Sequence, residues 1–206
     1  METPWKHNGI GEERVIIPPY VPIEVDGERT KFLMTEYVGG GVLWSRIIAQ
    51  GKDILSSPVE LLLDGEPMEV VSRRIVSAEK DRVVREVVAR RGTLSLVATQ
   101  TYDYDGFCMM RFAFDAKEPV QVNSLRVVVP LKSEIAKLFE VIRRNDKRSG
   151  PAPDFTLKDA EGEVWNSAMN VEEKWWMAHN PAQIQPYIWF GGPERGFCTL
   201  VESVRN

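Results

Sequence analysis

A chain of 206 residues with 26 Lys+Arg against 30 Asp+Glu, 43% apolar residues and two cysteines has a globular composition. At this length roughly 70% of the unfolded surface is buried on folding, so neither disulfides nor a metal is needed to hold the fold. The formal net charge of −4 leaves no basic footprint for nucleic acid, and the longest apolar runs fall far short of the roughly 20 residues of a membrane-spanning helix.

Val15 to Val25 reads as an extended edge segment, because Pro18, Pro19 and Pro22 cannot donate to a strand ladder. Asp26-Gly27 turns the chain into a strand over Lys31 to Val38. Gly39-Gly40-Gly41 then lets the backbone bend or approach a neighbour closely, before extended structure resumes over Val42 to Gln50 and turns at Gly51-Lys52-Asp53. The rhythm then becomes regular. Strands are expected over Val59 to Leu63, Met68 to Ser77, Arg82 to Arg90 and Leu94 to Tyr104, separated by Asp64-Gly65 and Glu79-Lys80-Asp81. The charges in Arg82 to Arg90 leave a helix open on periodicity alone, while Val83, Val84, Val87 and Val88 favour a strand.

Asp105-Gly106 predicts a hairpin joining Leu94–Tyr104 to Phe107–Phe114, and Val120 to Pro130 comes next as another strand. Ile135, Leu138, Phe139 and Ile142 recur at three-to-four spacing behind Ser133 and Glu134, which predicts one short helix over Lys132 to Arg144. A charged, Gly- and Pro-rich loop then runs to Pro153. Gln185 to Phe190, a turn over Gly191 to Gly196, and Phe197 to Val204 form a closing hairpin. No repeat or linker divides the chain, so residues 1–206 are expected to form a single all-β domain, an antiparallel β-sandwich with one short helix.

The closing hairpin, Pro186-Tyr187-Ile188-Trp189-Phe190-Gly191-Gly192-Pro193-Glu194-Arg195-Gly196-Phe197 with Glu202-Ser203, resembles a segment of the N-terminal domain of glycoside hydrolase family 123-like proteins. Gly192 stands where that family usually has Asp. The resemblance runs back through Trp5 to Gly11, Pro18 to Pro22, Ile47 to Pro58, Tyr104-Asp105-Gly106-Phe107 and Leu125 to Leu131. It implies an accessory sandwich of the large supersandwich, galactose mutarotase-like type, preceding a catalytic (β/α)₈ barrel in an N-acetylgalactosaminidase-like parent. The adjacent barrel would then be the partner of this domain. The family's chemistry implies a neighbouring Asp-Glu pair that works with the substrate's own acetamido group, and these 206 residues contain no Asp-Glu dipeptide. The catalytic pair is therefore expected on the barrel, and no catalytic residue is assigned here.

Other chemistry is thinly represented. Asp103 and Asp105 would share one face of a strand and could hold a cation or act as paired carboxylates, against the plainer reading of a solvated turn. Glu194 and Glu202 flank the last hairpin without a fixed separation. Only His7 and His179 occur and no Cys or His cluster has metal-ligand spacing, so no metal or cofactor is expected. A mutarotase- or epimerase-like isomerase would need His179 to converge with a carboxylate such as Glu202. Cys108 and Cys198 sit among apolar neighbours, as buried thiols do. Met1 to Lys6 shows no basic run leading into an apolar core, so no secretory leader is expected there, and the compartment is left open.

Aromatic residues give the stronger binding argument. Trp175 and Trp176 are adjacent, so on a strand they point to opposite faces and one can meet a partner, which makes them the candidates for a carbohydrate-binding module. Trp189 reads as a core ring. With Arg195 and Glu202 it is also a candidate for the contact with a neighbouring domain.

Overall fold

Strand-forming runs punctuated by turn residues produce an all-β fold. The computed structural model describes residues 13–141, 155–156, 162–163 and 187–200, and the chain divides into two units, Met1–Pro130 and Leu131–Asn206. The first unit begins with β1 (Glu24–Asp26), β2 (Arg29–Lys31), β3 (Thr35–Gly39), β4 (Trp44–Ala49) and β5 (Lys52–Asp53), paired in sequence order as one antiparallel sheet. It continues through β6 (Glu60–Leu63), β7 (Glu66–Pro67), β8 (Glu69–Ala78), β9 (Arg82–Arg91), β10 (Leu94–Asp103), β11 (Cys108–Ala116) and β12 (Leu125–Val128). Strands β8 to β11 form a meander. Strand β12 returns to pair with β6, giving a third sheet ordered β12-β6-β7. In the second unit β13 (Leu138–Val141), β14 (Phe155–Thr156), β15 (Tyr187–Gly191) and β16 (Gly196–Leu200) form a sheet ordered β14-β13-β15-β16.

The meander supplies one wall of the first unit's core. Along β9 and β10 every second residue is buried: Val83, Arg85, Val87 and Ala89 face the same side as Leu94, Leu96, Ala98, Gln100 and Tyr102. Their register, with Val83 opposite Tyr102 and Ala89 opposite Leu96, aligns the two apolar rows. At one end Ile23 and Phe32 pack with Val83 and Tyr102, and Tyr37 joins them, so the five-stranded sheet closes on the meander as a β-sandwich. Each such aliphatic side chain contributes roughly 1.5–3 kcal/mol by leaving water.

The turns behave as their chemistry dictates. Asp64 and Gly65 both have positive φ, 51° and 85°, as the tight β6–β7 hairpin requires, and Gly106 at 89° closes the β10–β11 hairpin. Of the glycine run, Gly39 lies at a register shift between β3 and β4, and a Cβ on Gly40 would stand 2.9 Å from the Ser45 nitrogen. The segment both bends and approaches closely.

Three expectations are corrected. Lys31 to Val38 is not one strand: β2 ends at Lys31, and Phe32 turns inward before β3 begins at Thr35. The short helix does not form in the described part of Lys132 to Arg144. The Ala136 amide donates to the Lys132 carbonyl at 3.0 Å, but only this single turn closes. From Leu138 the backbone takes its partners from β15, with Leu138 opposite Gly191 and Val141 opposite Ile188, and the ladder displaces the helix. The third is Cys198, which lies exposed on β16 rather than buried.

Candidate functional site

The most organised polar group lies inside the first unit. Trp44 Nε1 donates to the Tyr102 hydroxyl at 2.7 Å, and that hydroxyl donates to Gln100 Oε1 at 2.7 Å. Gln100 Nε2 in turn donates to the Val42 carbonyl at 3.1 Å. All three side chains are buried. Burial raises the Tyr102 pKa well above its ordinary value, so the phenol stays neutral and is a connector rather than a base. Beside it the Cys108 thiol is pushed up to about 12, chiefly by burial, with Tyr102 lowering it and Asp103 raising it. A thiol so poised is a poor nucleophile.

Arg85 is the buried cation of this core. Its guanidinium donates to Thr30 Oγ1 at 3.0 Å, to the Gly27 carbonyl at 2.8 Å and to the Arg29 carbonyl at 3.2 Å, fastening the β1–β2 turn to the meander. Glu28 is the carboxylate paired with it, 3.9 Å away and half-exposed. This arrangement organises a turn. The alternation around Val83 could have shown that Arg85 points inward; its acceptors, some 55 residues earlier, could not be read from the sequence.

Asp103 and Asp105 are not a working pair. Asp103 accepts from Arg82 Nε at 2.8 Å, and that bond and charge raise the Arg82 pKa. Asp105 Oδ1 accepts from the Phe107 amide at 2.9 Å within the hairpin turn. Each carboxylate has a local structural partner, as the solvated-turn reading expected. Among the described residues no three His, Cys, Asp or Glu side chains gather as a metal site would require.

In the second unit the hairpin of β15 and β16 pairs Trp189 with Cys198 and Gly191 with Gly196. Among its described side chains Ile188, 3% exposed, is buried, while Trp189 on the opposite face is half-buried. The core reading of Trp189 is corrected accordingly. Its indole lies over the two glycines: a Cβ on Gly191 would meet Cζ2, and one on Gly196 would sit 2.5 Å from Nε1. Glycine at both positions is thus the space into which the ring folds. Arg195 closes the turn through its carbonyl, which accepts from the Gly192 amide at 2.9 Å, and its Nη1 lies 3.2 Å from Glu194 Oε2. Its Nε is buried without an acceptor. Trp175, Trp176, His179 and Glu202 lie outside the described residues.

The residues also form a surface cavity that the sequence did not suggest. An open depression of about 440 Å³ lies where β11 leaves the meander, lined by Leu94, Phe114, Lys117, Glu118, Val120 and Val122 among others. Phe114 stands opposite Leu96 on the inner face, yet is 38% exposed. The one readable signal was an apolar strand end running into Lys117-Glu118-Pro119.

Residues 43–192, roughly three quarters of the chain, match the sequence model of the third domain of glycoside hydrolase 123. The chain belongs to the glycoside hydrolase 123 family. The resemblance drawn from the hairpin pointed to the same family, through its N-terminal sandwich, whereas the matching model is that of its third domain. No curated protein and no solved structure matches the chain. The glycoside hydrolase 123 match starts at Leu43, just before β4, and ends at Gly192 in the final turn, so it takes in the meander, the buried Trp44–Tyr102–Gln100 chain and the first strand of the closing hairpin.

Proposed function

We propose that this chain is a non-catalytic accessory β-sandwich of a glycoside hydrolase, one domain made of both units, which packs on the catalytic barrel of its parent protein. The observation that carries the reading is the family match across 43–192, which runs through the Pro130/Leu131 boundary between the units. The side chains support it: Tyr102 and Cys108 are held protonated, Arg85 is spent on a turn, and Asp103 and Asp105 are each tied to a local donor. None of these is left as the acid and base that glycoside cleavage needs. Trp189, Arg195 and Glu202 are the proposed contacts with the barrel.

The test is enzymatic. The isolated chain should release no nitrophenol from nitrophenyl N-acetylgalactosaminides of either anomer, while the parent protein does. Arg195→Glu in the parent should increase proteolytic nicking between this domain and the rest without changing the fold of the domain. Turnover by the isolated chain would overturn the reading.

A further inference from the structure

The depression at the end of β11 combines three features that a glycan site needs. Phe114 offers a partly exposed ring, and Val120 and Val122, 40% and 42% exposed, continue the apolar floor. Lys117 and Glu118 stand at the rim, one a donor and the other an acceptor. The volume of about 440 Å³ falls within the range of small-ligand sites, and the depression is open, so a ring belonging to a longer chain can enter and leave its neighbours in solvent.

The walls are held before any ligand arrives. Where the loop begins, Ser95 Oγ donates to the Asp115 carbonyl at 3.1 Å. Where it ends, Asp64 Oδ1 accepts from the Asn123 and Ser124 amides at 2.8 and 2.7 Å, while the Asp64 amide donates to the Ser124 carbonyl at 2.9 Å. Residues 117–122 are therefore pinned at both ends, which lowers the ordering cost of binding.

We propose that this depression is a subsite for one pyranose residue of a glycan, with the C–H face of the sugar on Phe114, Val120 and Val122 and its hydroxyls toward Lys117 and Glu118. Such a ring has one apolar face and a rim of hydroxyls that donate and accept, which matches an aromatic floor edged by an ammonium and a carboxylate. The choice of a sugar rests on membership of the glycoside hydrolase family and not on the non-catalytic role.

The experiment is a two-dimensional amide NMR titration of the whole chain with N-acetylgalactosamine, galactose and glucose as methyl glycosides, up to about 50 mM, the range in which a single-ring subsite of millimolar affinity saturates. The expected result is saturable shifts confined to the amides of Leu94, residues 114–118 and residues 120–122. Phe114→Ala and Glu118→Gln should each weaken binding by about tenfold, the loss of roughly 1.4 kcal/mol. If Phe114→Ala perturbs the fold, Glu118→Gln and Lys117→Met decide, since both side chains are at the rim. No saturable shift, shifts centred elsewhere, or shifts unchanged in the rim variants would overturn the proposal. Any of these would leave the accessory-domain reading intact, because that reading depends on the activity assays of chain and parent.

Discussion

Tyr102→Phe removes a single oxygen from the centre of the sandwich, and the cost can be worked out from the bonds that oxygen makes. It accepts from Trp44 Nε1 and donates to Gln100 Oε1, both at 2.7 Å. Without it nothing bridges the two groups, and the variant leaves an indole N–H and an amide oxygen unpaired among buried residues. Each such group costs about 1–3 kcal/mol, and Tyr102 is 1% exposed, so water does not reach them without rearrangement. The expected loss for the two groups together is about 2–6 kcal/mol. The aromatic packing against Phe32 and Tyr37 is preserved. Urea unfolding followed by far-ultraviolet circular dichroism reads the loss as a lower midpoint at unchanged slope. Tyr37→Phe is the control: its hydroxyl donates to the Gly106 carbonyl at 3.1 Å in a part-buried setting, and about 1 kcal/mol is expected. If Tyr102→Phe costs no more than Tyr37→Phe, the buried chain is not what holds this end of the sandwich.

Gly196→Ala should lower the melting temperature of the second unit, because its Cβ would stand 2.6 Å from the Phe190 carbonyl and against the Trp189 indole, whereas at Gly192 the nearest atom is 4.0 Å away and alanine should change stability by less than about 0.5 kcal/mol. Equal melting temperatures for the two variants would refute the packing of Trp189 over the hairpin. Arg85→Lys should cost about 2–4 kcal/mol in urea unfolding, since one ammonium cannot reach Thr30, Gly27 and Arg29 together; wild-type stability would show that the turn does not depend on the fork. The folded-state pKa of Cys108 is raised to about 12 from 9.0, so its contribution is complete below pH 9 and is lost as pH climbs toward 12. Cys108→Ala should accordingly flatten the alkaline limb of the stability curve between those values, and an unchanged limb would contradict the burial of the thiol.

Legible and hidden features divide along the distance over which the determining contact acts. The Asp64-Gly65 and Asp105-Gly106 turns were legible because glycine at positive φ is a local requirement, and two of the meander's three turns, at Gly92 and Gly106, are of that kind. The strand β9 was readable from Val83, Val84, Val87 and Val88, whose stiff side chains outweighed the helical option left by the surrounding charges. The segment from Lys132 misled for the opposite reason. Its apolar spacing fits a helix, and one turn does begin, but the partner that decides its fate is β15, some 50 residues later. The inward turn of Phe32 was hidden in the same way, since the side chains that receive it, Val83 and Tyr102, lie on the meander.

The same division bears on function. Residues singled out by type, such as the carboxylates Asp103 and Asp105 and the thiol Cys108, proved to be occupied with structure once their neighbours were known. Phe114 attracted no notice because a phenylalanine on an alternating strand is ordinary; what distinguishes it is that its register partner Leu96 is fully buried while it is not. An apolar residue on the inner face of a sheet stays in contact with water at a cost of roughly 25 cal/mol for every Å² left uncovered. Beside the closed inner positions of β9 and β10, that partly uncovered ring on β11 is one place where binding energy remains to be gained. A ligand with one apolar face would recover it without moving the backbone, and at the proposed subsite Lys117 and Glu118, rather than the aspartates of the hairpin, would select that ligand.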